Sequence, residues 1–291
     1  METGRPPPRQ VWLSRIGYHG FQPIAMSRLV LWKETMKLYN DDCLNVLRRM
    51  DSETVDCVVT DCPYHIVSGG CTNDAVKIGR YTEPTCMLNK MSGGNDQLSN
   101  TRSGKLFSHN DIEFREWLPQ VYRILKMDTH CYIMINSRNL KELWQAAEEA
   151  GFEYQNLLVW DKGNATPNKY YMQAYELILM LRKGAARNIN EMGTQNILRV
   201  PNITRVKYHP TEKSVELMEI LIKNSTNEGD IVIDPFMGSG ATGVACRELR
   251  RDFIGCEIDE KYFKIAKERI ENYQVNRPDQ IAGQTSIFDL L

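Results

Sequence analysis

The stretch Asp234-Pro235-Phe236-Met237-Gly238-Ser239-Gly240-Ala241-Thr242-Gly243 constrains this chain more than any other. Ahead of it, Asp230-Ile231-Val232-Ile233 has the β-branched, uninterrupted pattern of a short buried strand. Behind it, Val244 to Arg251 has the pattern of a helix, so the glycines fall in a strand-to-helix turn. Glycine lets a backbone approach a ligand closely at the carboxyl end of a parallel strand, where open α/β sheets bind cofactors. A second strand, Asp252 to Cys256, then delivers Glu257, whose carboxylate can take the two hydroxyls of a ribose.

Gly238, Gly240 and Gly243 also spell the dinucleotide fingerprint. Two facts argue against NAD. Asp234 puts a negative charge where a pyrophosphate would sit, which like-charge repulsion disfavours. The unit also lies near the end of the sequence, with too little chain after it for the rest of a dinucleotide domain. A ligand with an adenosine and a cationic end suits it better. S-adenosylmethionine has both and carries no phosphate.

The length, 291 residues, suits one large domain or two small ones. With 42% hydrophobic and 25% charged residues a full core can form. No apolar run approaches the roughly 20 residues of a membrane span, and Met1 to Gln10 lacks a signal-peptide core. These features point to a cytoplasmic protein. No CxxC pair occurs among the eight cysteines, and Cys62, His65, Cys71 and Cys86 match no common ligand spacing, so no metal is expected. Net charge is only −1, yet Lys162 to Lys213 holds nine basic residues against three acidic ones. Such a +6 stretch is one face held against phosphates or a solvated surface.

Residues 1–35 carry three consecutive prolines and no periodicity, and read as a disordered extension. Met36-Lys37 opens the first strand, so translation from Met26 or Met36 would fit the pattern. Strands are expected at Met36–Tyr39, Val55–Thr60, His130–Asn136, Phe152–Trp160 and Tyr175–Arg182, besides the two already placed. Helices are expected at Cys43–Met50, Asp111–Lys126, Leu140–Ala150, Ser214–Asn224 and Ile258–Tyr273. This alternation is α/β, a sheet with helices on both faces. The second strand ends at Asp61-Cys62-Pro63-Tyr64, an acid, a rigid proline and an aromatic suited to work on a planar ring. The Gly-, Ser- and Asn-rich stretch that follows, residues 65–110, reads as a flap over that site. Residues 36–273 would form the folded domain, and 274–291 a tail.

Together these residues resemble the β group of the DNA amino-methyltransferases, which methylate the exocyclic nitrogen of adenine or cytosine. Asp61 to Tyr64 is similar to their Asp-Pro-Pro-Tyr catalytic signature. Asp234 to Gly240 matches their Asp-Pro-Phe-x-Gly-Ser-Gly cofactor signature. His209-Pro210-Thr211-x-Lys213 and Phe253-x-Gly255-x-Glu257 resemble two more of their motifs, in the same order. The resemblance implies a Rossmann-like methyltransferase fold with a single seven-stranded mixed sheet. It implies that Asp61, Cys62, Pro63 and Tyr64 form the catalytic site. For S-adenosylmethionine it implies Asp42, Cys43, Thr211, Lys213, Asp234, Phe236, Gly238, Ser239, Gly240, Glu257 and Ile258. Glu257 would hold the ribose, Asp42 would lie beside the adenine ring, and Thr211 and Lys213 would lie near the carboxylate.

Asp at the first position of the catalytic signature favours adenine N6 over cytosine N4. The partner would be double-stranded DNA, with Lys162, Lys169, Arg187, Arg199, Arg205 and Lys207 as candidate contacts. Residues 184–208 form a short candidate target-recognition segment. The resemblance also makes a homodimer and a bacterial or phage source plausible. Rival readings are a silent DNA-binding subunit, an NAD enzyme and an RNA substrate. Cys62 departs from the usual signature, but the acceptor needed there is a backbone carbonyl, which any residue supplies.

Overall fold

The computed structural model describes residues 35–63, 112–166, 171–185, 187–202 and 212–274. Among these, eight strands make one sheet: β1 (Met36–Tyr39), β2 (Val55–Asp61), β3 (Leu125–Ile135), β4 (Glu153–Thr166), β5 (Gln173–Lys183), β6 (Ile197–Arg199), β7 (Ile231–Asp234) and β8 (Asp252–Cys256). Their spatial order is β1-β8-β7-β2-β3-β5-β4-β6. Only β5 runs against the rest. Six helices accompany them: α1 (Cys43–Arg49), α2 (Phe114–Ile124), α3 (Leu140–Glu149), α4 (Val215–Ser225), α5 (Ala241–Glu248) and α6 (Glu260–Glu271).

Two cores explain the apolar pattern of the central strands. Successive side chains of a strand point to opposite faces, so a strand covered on both sides is apolar throughout. On β2, Val58 joins the core under α1, α2 and α3, while Cys57 and Val59 join the core under α4, α5 and α6. Helix α2 supplies Phe114, Trp117, Leu118 and Val121 at helical spacing, with Trp117 wholly buried. Burying one such large side chain contributes about 2–3 kcal/mol. The expected single mixed sheet with helices on both faces is therefore present.

The sheet has eight strands rather than seven. The extra one, β6, is three residues long and pairs in parallel with β4 inside the segment expected to recognise the target. Its length gives no periodic signal. The strands expected at Phe152–Trp160 and Tyr175–Arg182 extend toward each other, pairing as far as Thr166 with Gln173. The connection between them is correspondingly shorter than expected. β3 begins at Leu125, straight after α2, because β2 pairs with it there, Val55 opposite Leu125; β5 joins from Thr129, and the Lys183 ammonium binds the Leu125 carbonyl at 2.7 Å. The expected extension, flap and tail lie outside the described residues, apart from Thr35 and Gln274.

One topological fact positions the site. β2 and β7 are neighbours, but the chain leaves β2 toward β3 on one side and β7 toward β8 on the other. The crevice at their carboxyl ends is a switch point, where open α/β sheets bind ligands. Asp61 ends β2 and Asp234 ends β7.

Candidate active site

The turn after β7 is built around the Asp234 carboxylate, which is 3% exposed. Its Oδ1 accepts from the Thr60 hydroxyl at 2.6 Å and from the Phe236 amide at 3.1 Å. Its Oδ2 accepts from the Thr242 hydroxyl at 2.6 Å. Asp234 thereby ties β2, the turn and the first turn of α5 together. Burial pushes its pKa up to about 6, against the lowering pull of Thr242, Thr60 and the Phe236 amide.

The glycines of the turn divide into two kinds. Gly243 packs so closely on Ile270 and Phe253 that a Cβ would lie 2.8 Å from the Phe253 ring. A Cβ on Gly240 would lie 2.9 Å from Ile270. The missing side chains of these two glycines let the turn and α5 pack closely: Gly240 on Ala266 and Ile270 of α6, and Gly243 on Ile270 and on Phe253 of β8. Gly238 is different: its φ is +52°, and a Cβ there would meet nothing within 4 Å. Its amide donates to Glu257 Oε2 at 3.0 Å. Glu257 Oε1 accepts from the Asp259 amide at 2.8 Å. Burial raises the Glu257 carboxyl, and the two amides oppose the rise.

Around this turn stand the other expected residues. Asp42 caps α1, accepting from the Leu44 amide at 2.8 Å, and Cys43 is buried behind it. The Asn40 side-chain Nδ2 donates to the carbonyls of Glu257 and Ile258 at 2.8 and 3.2 Å, and Ile258 is 45% exposed. Phe236 meets the Trp117 ring edge to face at 5.2 Å. Ser239 is held from α6 by Arg269, which also pairs with the buried Glu212 at 2.6 Å.

At the end of β2, Asp61 Oδ2 lies 2.8 Å from the Lys213 ammonium. That ammonium also lies 3.1 Å from Glu176 Oε2, and Glu176 Oε1 lies 2.9 Å from Lys162. Burial pushes the Asp61 carboxyl up, Lys213 pulls it down, and Glu176 adds to the rise. Burial acts on Glu176 too, but Lys213 and Lys162 together hold it below its ordinary value. The Cys62 thiol is buried, points to the Met134 carbonyl at 3.7 Å, and is raised well above an ordinary thiol by burial. A thiol so placed is inert as a nucleophile.

Comparison with known proteins identifies the family. The DNA methylase family profile (N6_N4_Mtase) matches residues 55–268. The chain belongs to this family. It is 28% identical to the type II methyltransferase M2.DpnII of Streptococcus pneumoniae over 85% of this chain and 94% of that protein. M2.LlaDCHI of Lactococcus lactis subsp. cremoris is 27% identical over 88% and 96%. The solved M1.HpyAVI–SAM complex has a TM-score of 0.57 and 26% identity, covering 81% of this chain and all of that one. The cytosine-N4-specific PvuII DNA methyltransferase, at 16% identity and a TM-score of 0.58, shares the fold.

This DNA methylase is S-adenosylmethionine-dependent, and its turn fits the cofactor. Open space at Gly238 adjoins a carboxylate, Glu257, that is itself anchored by the Gly238 amide. Lys213, expected near the cofactor's carboxylate, instead pairs with two carboxylates of the protein. Asp234 is spent on internal hydrogen bonds. Glu176, Thr60 and Thr242 were missed by sequence reasoning. A lone acid opening the apolar run Leu177–Leu181 and a threonine just before Asp61 were the available signals.

Of the candidate DNA contacts, Lys162, Arg187 and Arg199 lie among the described residues, at separate places. Lys162 lies inside the ion-pair chain, with a side chain only 15% exposed. Arg199 is well exposed, opposite Asp161 at the carboxyl edge near the site. The segment just after Arg187 is fastened to the far end of α4: Asn190 binds the carbonyls of Lys223 and Thr226. Eleven helical residues, about 16 Å, separate that end from Lys213. Tyr64, Lys169, Arg205, Lys207 and Thr211 lie outside the described residues. So do His65, Cys71 and Cys86, and no metal-binding cluster occurs among the described ones. No described helix is long and apolar enough to cross a membrane.

Proposed function

We propose that this methylase transfers a methyl group to the exocyclic N6 of an adenine flipped out of double-stranded DNA. The observation that carries the reading is Asp61, a carboxylate at the switch point, one hydrogen-bonded step from the cofactor turn through Thr60 and Asp234. Adenine is favoured over cytosine by an aspartate at that position. A silent binding subunit would not need both Asp61 and Glu257 in place. A homodimer and a cytoplasmic location belong to the same reading by resemblance alone.

Glu257 and the open space at Gly238 would hold the cofactor's ribose, with Ile258 offering apolar surface to its adenine. Bound there, S-adenosylmethionine would supply an electrophilic methyl group, with a neutral thioether as the leaving group. The protein's part lies in the nucleophile. An aromatic amine is weak because its lone pair is delocalised into the ring. Asp61 and the Cys62 carbonyl accept its two hydrogens and draw the nitrogen toward a tetrahedral shape. The proton that the methylated nitrogen sheds passes to Asp61 and then to water. Positioning and charge supply the acceleration. Extracting the base costs a few kcal/mol, and Tyr64 offers it a stacking face.

Two variants test the assignment. Asp61→Asn should abolish methyl transfer to DNA by about 100-fold or more while binding S-adenosylmethionine normally by calorimetry. Cys62→Ala should keep transfer within a few-fold, because the backbone carbonyl remains. Full activity in Asp61→Asn would remove the proposal.

A further inference from the structure

Four charged side chains from four parts of the chain alternate in sign beside the catalytic crevice. In order they are Asp61 on β2, Lys213 ahead of α4, Glu176 on β5 and Lys162 on β4. The three links measure 2.8, 3.1 and 2.9 Å. Lys213 is buried and Lys162 half-buried, with side chains 9% and 15% exposed, and each acid's side chain is 23% exposed. Removing one member of such a chain leaves its neighbour's charge uncompensated, so the four act as a unit.

A lysine bound to Asp61 alone would quench the acceptor that the substrate amine needs. Glu176 competes for the same ammonium, and Lys162 limits how strongly it competes. Resting on the function just proposed, we infer that Glu176 and Lys162 are opposed positioning residues that set the acceptor strength of Asp61 through Lys213. Neither touches the reacting atoms. When Asp61 takes the amine's proton its hold on Lys213 weakens, and Glu176 keeps that ammonium in place. Asp61 then returns the proton to water and recovers its partner. Among the described residues, Asp234 on β7 and the Cys62 thiol are further ionisable groups that interact with Asp61. Both belong to positions left intact by the test below.

The two positions must act in opposite directions. Glu176→Gln gives Lys213 back to Asp61, so the Asp61 carboxyl should titrate at lower pH. Lys162→Gln strengthens the pull of Glu176 on Lys213, so Asp61 should titrate at higher pH. The probe is the Asp61 side-chain carboxyl carbon, followed by NMR in cofactor-free protein and assigned by its loss in Asp61→Asn. The expected order of midpoints is Lys162→Gln above wild type above Glu176→Gln. Methylation rates should repeat that order in their acid limbs, with the Glu176→Gln plateau reduced about tenfold or more. Equal midpoints, or both displaced the same way, would overturn the inference. The NMR titration reads out even if the wild type fails to methylate DNA, so the two proposals fail separately.

Discussion

The buried Asp234 carboxyl makes a quantitative demand on stability. Its value is about 6 in the folded protein against 3.8 for an ordinary aspartate. A carboxyl raised on folding contributes stability in full below its unfolded value, and loses it as pH rises through the folded one. The window here runs from about pH 4 to about pH 6. Two pH units at about 1.4 kcal/mol each give a loss of about 3 kcal/mol. About 2 kcal/mol of that falls between pH 4.5 and 7.5.

Asp234→Asn removes the titration while keeping a carbonyl for Thr60 and offering an amide donor to Thr242. Urea unfolding of both proteins at the two pH values isolates this residue and its coupling to Asp61, because titrations not coupled to it cancel in the double difference. The variant should gain about 2 kcal/mol on the wild type between pH 4.5 and 7.5, whatever its absolute stability. A gap that is equal at both pH values, or that moves the other way, would refute the reasoning.

Two substitutions in the cofactor turn should separate packing from ligand contact. Gly243→Ala forces a methyl group against Ile270 and Phe253, and should lower the stability in thermal melts by about 1–3 kcal/mol. Gly238→Ala meets open space at φ +52° and should cost only about 1 kcal/mol of stability. It should nonetheless weaken S-adenosylmethionine by about tenfold in calorimetry, the equivalent of about 1.4 kcal/mol.

Much of the site was legible because it sits where strands end. Asp61 and Asp234 were readable at the carboxyl ends of β-rich runs, and Glu257 just beyond one; all three lie at the carboxyl edge of the sheet. Partners distant in sequence were not legible. Nothing local says that Lys213 pairs with Asp61, 152 residues away, or that Glu176 shares it. Nor does the spelling of the glycine motif distinguish Gly238, which faces open space, from Gly243, which faces Ile270. The short β6 escaped for a different reason: three residues carry no period, and only pairing with β4 makes them a strand. The basic stretch illustrates the converse. Composition left a phosphate-facing surface and a solvated one both open; of this stretch, Lys162 is taken up in an internal ion pair and Asn190 holds the Arg187 end of the segment against the far end of α4.

The central claim is the base that this methylase modifies. Wild-type protein should be incubated with labelled S-adenosylmethionine and mixed-sequence duplex DNA, and the DNA digested to nucleosides for mass spectrometry. The account predicts label in N6-methyladenine, absent when Asp61→Asn replaces the wild type. Label in N4-methylcytosine, or in neither nucleoside despite tight cofactor binding, would contradict it.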